Sequence, residues 1–321
     1  GCRPFEAAPA IGPPIGDIAQ GGASAAMAVE VLSFAVSGYS TAQTLLAWRE
    51  VASEFAPDVV VLAFFIGNDL NENHPALNDE PLRPYLQPTS AGLVLDASFR
   101  DSSAYGAARA PLGRFQQWLR ERSRIVQLLL QARDAMRIRS LDQHIASSAP
   151  DLDDAAPEDP GASASLPQEP GVDNAVFSAP TTAAWRETWR AAGAMLGAFA
   201  EETRTAAAEP VLMLIGTGAQ VHPNVAGRAR YAAALGLDDL GYPVRRLLEI
   251  AAEHQLPVIN LPALWTRNPD AQGSMLYGFE GGRLGFGHWN AAGHRAAADA
   301  AAEFLCSLTR QQPPSAPRGA G

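Results

Sequence analysis

Lysine is absent from this chain: all 24 of its basic residues are arginine. A Gly-x-x-x-x-Gly-Lys-Ser/Thr phosphate loop therefore cannot exist here. Cysteine is nearly absent as well. Cys2 and Cys306 lie near opposite ends of 321 residues, a spacing that suggests neither a disulfide framework nor a Cys-x-x-Cys metal site. No His-x-x-x-His pair occurs either, so no metal and no cofactor is expected. Long apolar runs are also missing. The run Val59 to Ile66 reaches only eight residues, too few to cross a bilayer, so no membrane span is expected. With a net charge of −10 and no basic patch interleaved with aromatics, nucleic acid is not an expected partner.

The acidity that is present is unevenly placed. From Ser140 to Trp185 there are eight Asp or Glu and no Arg. Within that stretch, Ile145 to Pro180 is rich in Pro, Ala and Ser and is expected to be disordered. The chain starts with Gly and has the look of a processed product; a lipid-modified Cys2 is disfavoured, since such a residue would itself come first. One domain is expected over residues 1–310, with an insertion at 71–182, a disordered part at 145–180 and a flexible tail at 311–321.

The segment Val59 to Ile66 organises the rest. Continuous apolarity over a strand's length predicts a central strand covered on both faces, as in a parallel sheet. Upstream, Val29 to Val36 predicts a first strand ending at Ser37-Gly38-Tyr39-Ser40-Thr41. A helix from Ala42 to Val51 follows, with Thr41 as N-cap, so the three elements predict a right-handed βαβ unit. Pro75, Pro81, Pro84 and Pro88 preclude a long element between Asn71 and Gly106. The spacing of Leu112, Phe115, Trp118, Leu119, Val126, Leu129 and Leu130 then predicts one helix over roughly 112–139, packing that face inward and leaving its arginines solvated. Further on come a helix carrying the stripe Trp185, Trp189, Met195, Leu196 and Phe199, and a buried strand Pro210 to Thr217. A helix at Val244 to His254, a strand at Pro257 to Leu261 and a helix at Ala296 to Leu308 complete the pattern. Alternating strands and helices predict a three-layer α/β/α sandwich with a mainly parallel sheet.

Open parallel sheets bind ligands at the carboxyl ends of their strands. Gly38, Asn68 and Thr217-Gly218 fall at such ends, and the last loop brings His288 and His294. A glycine N–H, a side-chain amide and a histidine are the parts that hold an oxyanion and move a proton. Each alone has an ordinary explanation, because Gly67-Asn68-Asp69 is also plain turn chemistry.

Phe34-Ala35-Val36-Ser37-Gly38-Tyr39, Gly67-Asn68-Asp69 and Gly287-His288-Trp289-Asn290-Ala291-Ala292-Gly293-His294 together resemble blocks II, III and V of the SGNH hydrolases, the GDSL esterase and lipase family. The resemblance covers about Val29 to Leu308 and implies a flavodoxin-like fold and serine-based ester cleavage of a small-molecule or carbohydrate ester. It implies oxyanion donors at Gly38 (N–H) and Asn68 (amide), His288 as general base, and supporting places for Asp69 and His294. Two departures accompany it. The family's Gly-Asp-Ser block has no counterpart: Gly16-Asp17-Ile18 has Ile where Ser belongs and follows prolines unsuited to a central strand. The expectation is a chain lacking the family's first strand and its nucleophile, hence of low or no activity, with any export signal or tether lying outside it. Position 285, three before His288, is Gly rather than the usual Asp; Glu280 and Asp270 are weak substitutes. A glycan- or acyl-binding domain without catalysis, and an O-acyltransferase on the same scaffold, are the rival readings. His74, His144, His222 and His254 are expected to be locally bonded or surface residues.

Overall fold

The computed structural model describes residues 29–133, 136, 166–267, 275–279 and 284–311. Three strands form a parallel sheet in the order β1-β4-β5: β1 is Val59–Phe65, β4 Glu209–Ile215 and β5 Val258–Asn260. A separate antiparallel hairpin pairs β2, Tyr85–Thr89, with β3, Gly92–Asp96. The helices are α1 (Thr41–Glu50), α2 (Ser103–Arg109), α3 (Pro111–Arg122), α4 (Ala183–Thr205), α5 (Gly218–Val221), α6 (Val225–Ala234), α7 (Tyr242–Glu253), α8 (Leu261–Arg267) and α9 (Ala291–Gln311). Residues 124–133 are helical as well. The molecule is thus mixed α/β, with a small parallel sheet as its frame.

Strand alternation sends successive side chains to opposite faces, and β4 is covered on both. Leu212 and Leu214 join Leu62 and Phe64 of β1 in a core closed by Leu45 and Trp48 of α1, the stripe of α4, and Leu247 and Ile250 of α7. Val211 instead enters a second core with Ile259, Leu261, Trp265, Tyr277 and Ala297. Trp185, Trp189, Met195, Leu196 and Phe199 are all buried, as their spacing predicts.

Four expectations need correction. The first concerns Val29 to Val36, which is not a strand among the described residues. Val31 and Val36 are exposed, and the segment ends in a turn at Ser37-Gly38. Apolar residues become a strand only when another strand pairs with them, and none among the described residues does, so no βαβ unit is formed among them.

The second concerns β1, which among the described residues is an edge and not a central strand. The Ile66 N–H donates to Ile215 C=O at 2.9 Å, and the Glu209 N–H to Asp58 C=O at 2.9 Å. In a parallel strand both backbone groups of a residue point the same way and neighbours alternate. Even-numbered residues therefore face β4, while Val59, Val61, Ala63 and Phe65 turn their backbone groups to a side where no described strand lies. Val61 and Ala63 are exposed there.

Third, the expected 112–139 helix is broken. The Gly106-to-Ala110 turn and Ser123 divide this region into α2, α3 and the helical residues 124–133, and its apolar face is not buried. Residues 137–139 lie outside the described residues. Fourth, the tract expected to be disordered is partly built into the core. Residues 145–165 lie outside the described residues, but Glu169, Val172, Val176 and Phe177 are buried. The hairpin β2-β3 also forms despite Pro88, which predicts a break in that region.

Candidate functional site

The predicted donors Gly38 and Asn68 follow the exposed segment 29–36 and β1, and polar contacts bind their neighbourhoods together. Gly38 has φ of 80°, a conformation that strains any side chain, although nothing lies within 4 Å of where a Cβ would sit. Glycine is required here by backbone conformation and not by crowding. It leads into α1, whose start is tied to the turn after β1. The Asn73 side chain accepts from Ala42 N–H at 3.4 Å and donates to Thr41 Oγ1 at 3.1 Å and to the Asp69 carbonyl at 2.5 Å.

A second chain of contacts fixes the Asn68 amide. Asn68 Nδ2 donates to Glu72 Oε1 at 3.2 Å, while Arg83 donates to Glu72 Oε2 at 3.0 Å and to Gln43 Oε1 at 3.2 Å. Gln43 Oε1 also accepts from the Ser40 N–H at 3.3 Å. Glu72 Oε1 thus takes the amide nitrogen of Asn68 and not its Oδ1. One Nδ2 hydrogen is used in this contact and the other is left to donate elsewhere. Burial raises the Glu72 carboxyl above its usual value, with the Arg83 guanidinium opposing that rise.

Asp69 sits beside this network and is mostly buried. Its Oδ2 accepts from the Phe65 N–H at 2.8 Å, capping one of the outward-facing groups of the β1 edge. Burial pushes its carboxyl up to about 8, against the lowering effect of that hydrogen bond.

His288 lies in a loop over the carboxyl end of β4. The Gly278 N–H donates to the His288 carbonyl at 2.9 Å, the Asn290 N–H donates to Leu276 C=O at 3.0 Å, and Tyr277 pairs with Trp289. The Tyr277 hydroxyl donates to the Gly216 carbonyl at 2.6 Å, joining this loop to the end of β4. The imidazole itself is exposed and has no hydrogen-bond partner among the described residues. His294 is exposed at the start of α9, its ring edge-on to Trp289 with centroids 5.5 Å apart.

The structure thus gathers the Gly38 and Asn68 segments into one polar cluster and ties the His288 loop to the carboxyl end of β4, with no hydrogen bond from His288 to either segment among the described residues. Glu280 and Asp270, the weak acid candidates, lie outside the described residues, as do His144 and Gly16-Asp17-Ile18. The glycine at 285 has a local cause. Its φ is 89°, and a Cβ there would lie 2.7 Å from Cδ2 of His222. His222 is buried, and its Nδ1 accepts from the Asn224 N–H at 3.2 Å. A side chain at 285 is therefore excluded by an imidazole already in place.

Glu169 went unnoticed in the sequence. It is 1% exposed and lies at the N-terminus of α5, accepting from Gly218 N–H and Ala219 N–H at 2.8 Å each. Thr217 and the Gly287 N–H contribute further hydrogen bonds. Gly287 immediately precedes His288, so one carboxylate joins the end of β4 to the histidine loop. Burial raises Glu169 to about 6, and the N–H groups of Ala219 and Gly218 act against it. The same segment approaches the Asn68 turn, where a Cβ on Gly67 would meet Val172 at 3.0 Å. Only the open N–H groups of Thr217-Gly218 hinted that an acceptor was needed. Nothing in the local sequence names Glu169 as that acceptor.

Among the described residues no group of His, Cys, Asp and Glu could hold a metal ion, and no helix is long and apolar enough to cross a membrane. No family model, curated protein or solved structure matches the chain.

Proposed function

We propose that this chain is the larger part of an SGNH-type serine hydrolase acting on ester bonds, a flavodoxin-like α/β/α sandwich whose sheet is completed by one more parallel strand. The observation that carries the reading is the Asn68 amide at the carboxyl end of β1, whose Nδ2 is fixed by one hydrogen bond to Glu72 Oε1 at 3.2 Å and keeps a second hydrogen. That second hydrogen suits a donor to a developing negative charge. The free edge of β1 supports the rest. Val59, Val61 and Ala63 turn backbone groups outward along an apolar strand that carries no charge, proline or bulge against pairing. A parallel strand seated there ends beside Gly38 and Asn68, and a serine at its end attacks the ester carbonyl. His288 takes the hydroxyl proton and returns it to the leaving alcohol. Gly38 N–H and Asn68 Nδ2 hold the oxyanion, and water then releases the acyl group. The chain without that strand turns ester over slowly or not at all.

Fluorophosphonate labelling of the protein from its native source, followed by peptide mapping, tests this. A labelled serine outside the 321 residues, with Asn68→Ala lowering kcat by about 10²- to 10³-fold in the folded protein, is the expected result. His288→Ala should abolish labelling. Wild-type rates in both variants would overturn the site, and an unlabelled protein that binds acyl or glycan ligands without turnover would replace the enzyme with a binding domain.

A further inference from the structure

The helical residues 111–133 bury nothing. No residue of α3 is buried, and none of the helical residues 124–133 is. Leu112, Phe115, Trp118, Ile125, Leu128 and Leu129 are between 54% and 71% exposed. Phe115 stacks on Trp118 with ring centroids 5.9 Å apart. The residues are nonetheless largely sorted by side. In the second helix Ile125, Val126, Leu128, Leu129 and Leu130 fall on one broad face, and Arg124, Gln127 and Gln131 on the other, while Arg133 enters the apolar side only in the last described turn. Residues 109–133 hold six arginines and one glutamate, a charge of 6 − 1 = +5 in a chain of net charge −10. Among the described residues Arg114, Arg120, Arg122 and Arg124 make no ion pair. The arm is held at its root: a Cβ on Gly113 would strike the carbonyl oxygens of Ala107 and Ala108, so α2 and α3 pack backbone to backbone.

We propose that this arm is an interfacial anchor that lies flat on an anionic lipid surface. Its Leu, Ile, Phe and Trp side chains enter the acyl region, and its arginines reach the phosphates. With α3 at 12 residues, and no helix among the described residues long and apolar enough to cross a bilayer, the arm suits the membrane plane. Charge selects this occupant over others. A second copy could cover the apolar face only by bringing another +5 against the first. The acidic stretch 142–159 of the same chain could offset the arginines, but it is dominated by Ala, Ser, Pro and Asp and has little apolar surface for six large side chains. Aliphatic residues outnumber aromatic ones on the face, which favours acyl chains over nucleic-acid bases. A lipid surface answers both the apolar area and the charge. The inference stands whether or not the chain is a hydrolase.

Flotation with vesicles tests it. The protein should float with vesicles of phosphatidylglycerol and phosphatidylcholine, remain at the bottom with phosphatidylcholine alone, and be released from the anionic vesicles by high salt. Trp118 is the most exposed tryptophan, since Trp48, Trp185, Trp189 and Trp265 are buried and Trp289 is half-buried. Bromine-labelled acyl chains should therefore quench Trp118, and Trp118→Phe should remove that quenching. Phe115→Asp combined with Leu128→Asp alters exposed positions, so the fold should persist by circular dichroism while partitioning falls about tenfold or more. Failure to float with anionic vesicles would overturn the proposal. So would flotation unchanged by the double substitution, or a lipid-free dimer that the same substitution dissociates.

Discussion

Glu169 offers the sharpest test of how the histidine loop is held. Replacing it with alanine strips the acceptor from the N–H groups of Gly218 and Ala219, both at the buried end of β4. A buried donor left without a partner costs roughly 1–3 kcal/mol, so the pair should cost about 2–6 kcal/mol, a large share of the ~5–15 kcal/mol that holds a domain folded. Glutamine keeps the shape but sets an NH2 group against one of the two donors, and should cost about 1–3 kcal/mol. Ionisation supplies a second signature. Burial raises the folded carboxyl from 4.5 to about 6. Between those values the folded state binds more proton than the unfolded one, so wild-type stability falls as pH rises through that window. The fall amounts to ~2 kcal/mol at 1.36 kcal/mol per unit. Glu169→Gln has no such proton. Urea unfolding of both proteins from about pH 4.5 to about pH 7.5 should show the wild-type advantage shrinking as pH rises and levelling above about pH 6. Amide exchange should show protection lost at Gly218, Ala219 and Gly287 in the alanine variant. An advantage that stays constant or grows with pH, or unchanged exchange at those three amides, would refute the assignment.

Asp69→Asn can keep the bond from the Phe65 N–H while removing a carboxyl that burial raises to about 8. Wild-type stability should fall as pH rises towards about 8, so the variant should be the more stable by on the order of a few kcal/mol at neutral pH; equal denaturation midpoints would sink this. Arg83→Met leaves the Glu72 carboxylate buried without its cation and should cost ~3–5 kcal/mol, much of it recovered when Glu72→Gln is added. A double-mutant cycle with coupling below about 1 kcal/mol would contradict that dependence.

What could be read from the sequence was local. β4, β5, α4, α7 and α9 follow from runs and spacings that hold within a dozen residues, and β1 was placed to within a residue. Its neighbours were not. Apolar continuity in Val59 to Ile66 predicts a strand paired on both sides, but pairing is a property of two segments, and among the described residues only one side is occupied. The same reason applies to Val29 to Val36, a run fit for a strand with none beside it among the described residues. The hairpin escaped through Pro88, which lies opposite Leu93 in a two-stranded ribbon, where an outward-facing residue needs no N–H. Gly92 at φ 111° and the Thr89 hydroxyl, which donates to the Gly92 carbonyl, supply the turn.

Burial was the harder inference, and it failed in two opposite directions. Residues 111–133 have a helix period that predicts one side packed inward, yet periodicity names a face without naming what covers it. Around Glu169 the composition is acidic and proline-rich, which argued for disorder over the whole tract. A few buried anchors, Glu169, Val172, Val176 and Phe177, outweigh that average because each meets partners from distant segments. Glu169 reaches Gly218, Ala219 and Gly287, while Tyr231 bonds its neighbourhood through Asn174 at 3.0 Å. The polar frame of the site has the same character. Gln43, Asn68, Glu72 and Arg83 come from α1, the turn after β1 and the approach to β2, and the Asn68 amide takes its direction from the Glu72 carboxyl that Arg83 holds in place. Asn68 could be named from its position after an apolar strand. Its orientation, on which a role as oxyanion donor depends, is set by an arginine fifteen residues later that no local pattern marks.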